Sequence, residues 1–169
     1  MTARHLIAVT TIVLLGAGFV SGHPHFSKTL SAKTQTHDIE LSYFTLPYNE
    51  ANLSQVNEGF VFITGGATLN IKKGSVTNNG HTFGPGEYLI RARANSLDSW
   101  DLIMVSKADA GAQGSDMTKA VKLTTTTHTD TAEGGHLTLD ITGGHGENDG
   151  KMVVWVWFCL LYTSDAADE

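Results

Sequence analysis

One cysteine in 169 residues, Cys159, excludes a disulfide scaffold, and three prolines exclude a collagen-like chain. Basic residues are outnumbered, 11 Lys and Arg against 17 Asp and Glu. The formal charge of −6 excludes the basic surface that nucleic acid or anionic lipid would require. Helical periodicity is almost absent. What remains has the length of one globular domain, long enough to bury a core without covalent staples.

Both ends read differently from the middle. Arg4 precedes an apolar run over residues 6–20, and the small residues Gly16, Ala17, Gly18, Ser21 and Gly22 lead into a polar stretch. This is the layout of a secretory signal peptide, with an apolar core short for a bilayer span. Val20 and Gly22 stand at the third and last positions before a cut. The expected mature N-terminus is therefore His23, with export to the periplasm or outside the cell and no membrane span after cleavage. At the other end, residues 159–169 follow an apolar strand pattern with no turn chemistry between the two. They resemble the conceptual translation of a transposase sequencing adapter over all eleven residues. They are expected to be non-native, with Cys159 foreign to the protein and the native chain continuing past Phe158. The expected division is a signal peptide over 1–22, one domain over 23–158 and a non-native tail over 159–169. Setting aside Arg4, Asp165, Asp168 and Glu169 leaves ten basic and fourteen acidic residues in the domain, a net charge of −4.

Within the domain, strand patterns dominate. Residues 37–44 alternate, with Ile39, Leu41 and Tyr43 on one face and Asp38, Glu40 and Ser42 on the other. Pro47 ends that strand, and residues 48–58 read as a loop or a single helical turn. Residues 60–63 and 67–72 read as two strands broken at Gly65 and Gly66. Asn78-Asn79-Gly80 supplies a tight turn that tolerates positive φ, and Gly84-Pro85-Gly86 a bend before a strand over 87–94. Residues 100–106 complete a hairpin anchored by Trp100. Residues 108–118, rich in Gly, Ala, Asp and Ser, read as a flexible surface loop. Strands over 119–129, 135–142 and 151–158 bring the total to about eight. With no repeat and no helical period, the pattern indicates an all-β antiparallel sandwich, jelly-roll-like in type.

The runs HDIELSYFTLP, GHTFGPGEYLIRARANSLDSWDLIMVS and GHLTLDITGGHGENDGKMVVWVWF resemble the exported bacterial family called domain of unknown function 2911. The likeness rests on an early Ser-Tyr strand, the turn Pro85-Gly86-Glu87-Tyr88, a strand with Trp100, Leu102 and Ile103, and a last strand with Val153 and Trp155. It spans most of residues 37–158. Where the family carries a Trp-Arg-Thr-Gly-Ala-Asn-Glu stretch, this chain has GFVFITGGATLNI. The resemblance implies a β-sandwich and supplies no activity.

Four histidines are candidate metal ligands. A mature N-terminal His23 offers its amine and ring nitrogen to copper, and a second imidazole such as that of His25 or a more distant His completes a T-shaped nitrogen set suited to Cu(II). Pro24, lacking an N–H, disfavours the competing square-planar site. His128 and His136 lie symmetrically about Ala132, so a hairpin centred there makes them cross-strand partners. Their parity places them with Thr126, Thr138 and Asp140, on the water-facing side opposite Leu137, Leu139 and Ile141. His145, with Glu147 and Asp149, offers donors to a hard cation but reads as a Gly- and Asp-rich hairpin connection. His81 reads as a loop residue.

Trp100, Trp155 and Trp157 would make a sugar-stacking platform if they faced outward. Val154, Val156 and Phe158 make the opposite face of the last strand apolar too, so the expectation is burial in the sandwich core. No nucleophile elbow, phosphate-binding glycine loop or helical ligand pair occurs. The expected function is a non-catalytic binding or structural module, without a cofactor, that engages a small molecule or a surface partner. The alternatives are a copper-binding protein using His23 and a secreted hydrolase with dispersed carboxylates.

Overall fold

The structure, a computed structural model, describes residues 26–46, 56–96, 99–126 and 137–157. Among them there is no α-helix, and no helix is long and apolar enough to cross a membrane. Eleven strands are described: β1 (Ser27–Lys33), β2 (Asp38–Phe44), β3 (Val61–Phe62), β4 (Thr68–Lys73), β5 (Val76–Asn78), β6 (His81–Phe83), β7 (Gly86–Ser96), β8 (Ser99–Ser106), β9 (Val121–Lys122), β10 (Thr138–Gly143) and β11 (Met152–Trp157). All pairings are antiparallel. The main sheet runs β1-β2-β4-β7-β8-β9, with β3 also on β7, and two hairpins, β5–β6 and β10–β11, form separate small sheets. The fold is all-β and sandwich-like.

One face of the main sheet is the core face. Ile39, Leu41 and Tyr43 of β2, Leu69 and Ile71 of β4, Ile90 of β7 and Met104 of β8 are buried together. Phe83 of β6 and Leu139 of β10 cover them, with Val154 and Val156 of β11 packed against the cluster. The alternation in β2 and β4 thus does what period-two patterning requires, sending every second side chain inward. The Tyr43 hydroxyl crosses the layers and donates to the Leu139 carbonyl at 3.0 Å.

β3 and β4 both pair with β7, opposite Arg93–Ala92 and Leu89–Gly86 respectively. They are one line of chain interrupted by a 3-10 turn at Thr64–Gly66. The break expected at Gly65 and Gly66 is a detour within one edge of β7. Gly65 has φ +64, and a Cβ there would overlap the Phe44 carbonyl. Only glycine meets both demands.

Asn79 (φ 49) and Gly80 (φ 74) join β5 to β6 in the expected positive-φ turn. His81 opens β6 opposite Asn78 rather than lying in the loop. β1, β5 and β6 were not expected: β1 carries few apolar residues, and the other two are three residues long. The strand expected over 119–129 is reduced to β9, and residues 127–136 lie outside the described residues.

Residues 108–118 form the expected surface loop, turn-rich and mostly exposed, with one inward contact that the composition did not announce. Ala110 is buried with Leu89 and Val105 on the second face of the β7–β8 hairpin, and Met117 and Ala120 pack alongside. The Ser106 carbonyl accepts the N–H groups of Asp109 and Ala110, and Lys119 pairs with Asp109 at 2.6 Å. Small residues let this turn-rich segment lie close to the sheet. That is why its composition resembled a solvated loop.

Candidate binding surface

The last hairpin has two unlike faces. Leu139 points into the core, and Met152, Val154 and Val156 pack against it. Alternation therefore sends Val153, Trp155 and Trp157 to the other side, away from the main sheet. The register pairs Thr138 with Trp157, Asp140 with Trp155 and Thr142 with Val153, so the two hydroxyl residues and the carboxylate leave the hairpin on the tryptophan side. The expected burial of Trp155 and Trp157 in the sandwich core is corrected. Both are half-buried on the outer face, because the valines on the opposite parity occupy the interface.

The two indoles are parallel, with ring centroids 5.8 Å apart and 13° between planes. The Trp155 indole N–H donates to Thr142 Oγ1 at 2.9 Å, tying that ring to the neighbouring strand. Asp140 is anchored in turn, since its Oδ1 accepts the N–H of Ile141 at 2.8 Å. Trp100 stands apart from this pair: its ring meets Phe60 edge-on at 6.5 Å.

The connection from β10 to β11 is a hairpin loop, as its composition suggested. The Gly144 N–H donates to the Lys151 carbonyl at 2.9 Å, and a 3-10 turn at Gly146–Asn148 fills the space between. His145, Glu147 and Asp149 are exposed there. Among the described residues, no three His, Cys, Asp or Glu side chains gather as metal ligands do. His23, His25, His128 and His136 lie outside the described residues. Thr138 and Asp140 do take the outward parity expected for them, opposite buried Leu137 and Leu139.

Two further features were not visible in the sequence. Arg91 is only 6% exposed. Its Nη1 donates to the carbonyls of Ile90 (2.8 Å), Ala67 (3.2 Å) and Ile63 (3.4 Å), while Nε has no partner. Burial pushes its pKa below the usual arginine value. On the surface nearby, Phe44, Leu46, Ile63, Gly65 and Gly66 line an open apolar depression of about 340 Å³, with Phe44 53% and Ile63 59% exposed. The Leu137 N–H donates to the Leu46 carbonyl at 2.9 Å.

Surface ion pairs join Lys33 to Asp38, Lys72 to Glu40, Lys107 to Glu87 and Lys119 to Asp109, with Asp101 between Arg93 and Lys122. No family model, curated protein or solved structure matches the chain.

Proposed function

We propose that this chain is an exported, non-catalytic binding module that engages its ligand on the outer face of the β10–β11 hairpin. The observation that supports this reading is the placement of Trp155 and Trp157. Two large aromatic side chains lie parallel on the face turned from the core, beside an anchored carboxylate and two threonines. Large apolar side chains that stay outside the core and partly exposed stabilise the fold less than full burial would, and such surface is a common mark of recognition. Export is supported by Arg4, the apolar run over 6–20 and the small residues before His23. The resemblance to the family named above is in keeping with the sandwich-like architecture.

Two measurements test the reading. Expression with the leader in a bacterial host should give a periplasmic or secreted protein whose intact mass lacks residues 1–22; retention of the leader would overturn export. Titration with choline, guanidinium and neutral mono- and disaccharides, followed by tryptophan emission, should give a saturable change with at least one class. Trp157→Leu should abolish it with an unchanged far-ultraviolet circular dichroism spectrum. Silence across the whole panel would overturn the binding reading.

A further inference from the structure

The outer face of the hairpin carries charge as well as aromatic surface. Asp140 stands directly across from Trp155, so carboxylate and indole share one side of a two-stranded sheet at neighbouring positions. Every lysine in the sequence and both arginines of the domain are described, and none pairs with Asp140. The carboxylates of Asp38, Glu40, Glu87, Asp101 and Asp109 each have a basic partner. The one beside the tryptophan pair is left to attract a cation from outside.

We propose that Trp155, Trp157 and Asp140 bind the quaternary ammonium group of a small soluble molecule, an inference that rests on the binding reading above. Indole faces carry the negative lobe of the ring quadrupole and attract a cation within about 6 Å of the ring centroid. A carboxylate on the same side adds a direct Coulomb attraction. The form of the cation follows from what the face can offer. Asp140 already spends Oδ1 on the Ile141 N–H, so it supplies charge more readily than the two-pronged acceptor that a guanidinium matches. A primary ammonium would bring a tightly held hydration shell to a partly buried face with few acceptors. A quaternary ammonium has no N–H to satisfy, and its methyl groups pack directly against the rings. A neutral sugar would stack on the indoles while leaving the carboxylate without a countercharge. The net charge of −4 on the domain, ten basic against fourteen acidic residues, favours approach of a cation over an anion.

The test is a titration of the full chain with tetramethylammonium and choline, in parallel with guanidinium and a neutral disaccharide, followed by tryptophan emission. Tetramethylammonium and choline should both give saturable curves that weaken as salt rises from low to high concentration. Asp140→Asn, nearly isosteric, should weaken both about tenfold while leaving the circular dichroism spectrum and the urea midpoint in place. Trp157→Leu should remove the response and supplies the same test if the Asp140 variant fails to fold. Binding of the disaccharide alone, or of guanidinium more tightly than choline, would overturn this inference while the binding reading stands. Choline binding that is indifferent to Asp140→Asn in a folded protein would also overturn it. Silence from every ligand would overturn both.

Discussion

Arg91 shows how side-chain chemistry and burial are balanced at a single residue. A guanidinium inside a protein is costly unless its donors are met, and Nε here is not. The three carbonyls that Nη1 contacts nonetheless have other donors. Gly66 N–H reaches Ile63, Ile90 N–H reaches Ala67, and Thr64 Oγ1 reaches Ile90 at 2.5 Å. Removing the guanidinium would therefore leave no carbonyl wholly unpaired. Arg91→Met, which keeps the length and fills the space, should change unfolding free energy by less than about 1 kcal/mol in either direction. Arg91→Ala, which leaves a void beside Leu89, should cost about 2–4 kcal/mol. Urea unfolding followed by tryptophan emission separates the two outcomes. Equal and large losses would show that the charge itself holds the turn at Thr64–Gly66.

At the scale of elements, the detour between β3 and β4 depends on Gly65 more than on any packing contact. Its positive φ and the closeness of the Phe44 carbonyl both oppose a side chain. Gly65→Ala should destabilise by about 2 kcal/mol or more, seen as a lower urea midpoint, whereas Gly80→Ala, with open space around it, should cost less. Asp101 on β8 ties neighbouring strands through Lys122 at 2.8 Å and Arg93 at 3.8 Å. Its carboxyl is held below the usual aspartate range, chiefly by the hydrogen bond from Lys122, with Asn95, the Lys122 charge and Arg93 adding to it against burial. A folded-state pKa below the unfolded one contributes stability that is present above the unfolded value. That contribution fades as pH falls through about 4 toward the lower folded value. Urea midpoints for Asp101→Asn should lie below wild type at pH 7 and converge with it as the pH falls past the lowered folded value. Much of this level was legible in the sequence. The alternation in 37–44 and 67–72, the Asn79-Gly80 turn and the break at Gly65 all follow from local steric rules. β1 was not legible, because Ser, Thr and Lys fill most of it and its strand state comes from pairing with β2 across the full length of both strands. The burial of Ala110 was equally hidden, since alanine and glycine look the same in a solvated loop and in a close-packed one.

For the molecule as a whole, two layers share one core, and among the described residues the second layer is small. Leu137 and Leu139 supply its deepest contacts, and the Tyr43–Leu139 hydrogen bond connects residues 96 positions apart in the chain. Such joins give nothing until a long loop has closed, so the hairpin should contribute late in folding. The tryptophan surface depended on the same arrangement. In sequence, Val154, Val156, Trp155 and Trp157 look alike as apolar strand residues, and only the layer lying beneath β11 decides which pair is covered. The outward parity of Asp140 could be read from Leu137 and Leu139. With the hairpin centred between Glu147 and Asn148, its position across from Trp155 could be read too, but the solvent side of the tryptophans could not. Tyr43→Phe keeps the ring in the core and removes only the donor, leaving the Leu139 carbonyl short of a partner. It should cost about 1 kcal/mol. Leu139→Ala removes buried contacts of both layers and should cost about 2–4 kcal/mol. If the hairpin docks late, both losses should appear mainly as faster unfolding, with refolding rates nearly unchanged. Stopped-flow refolding and unfolding with Trp155 and Trp157 as reporters would decide this, and slowed refolding in both variants would place the hairpin in the folding nucleus instead.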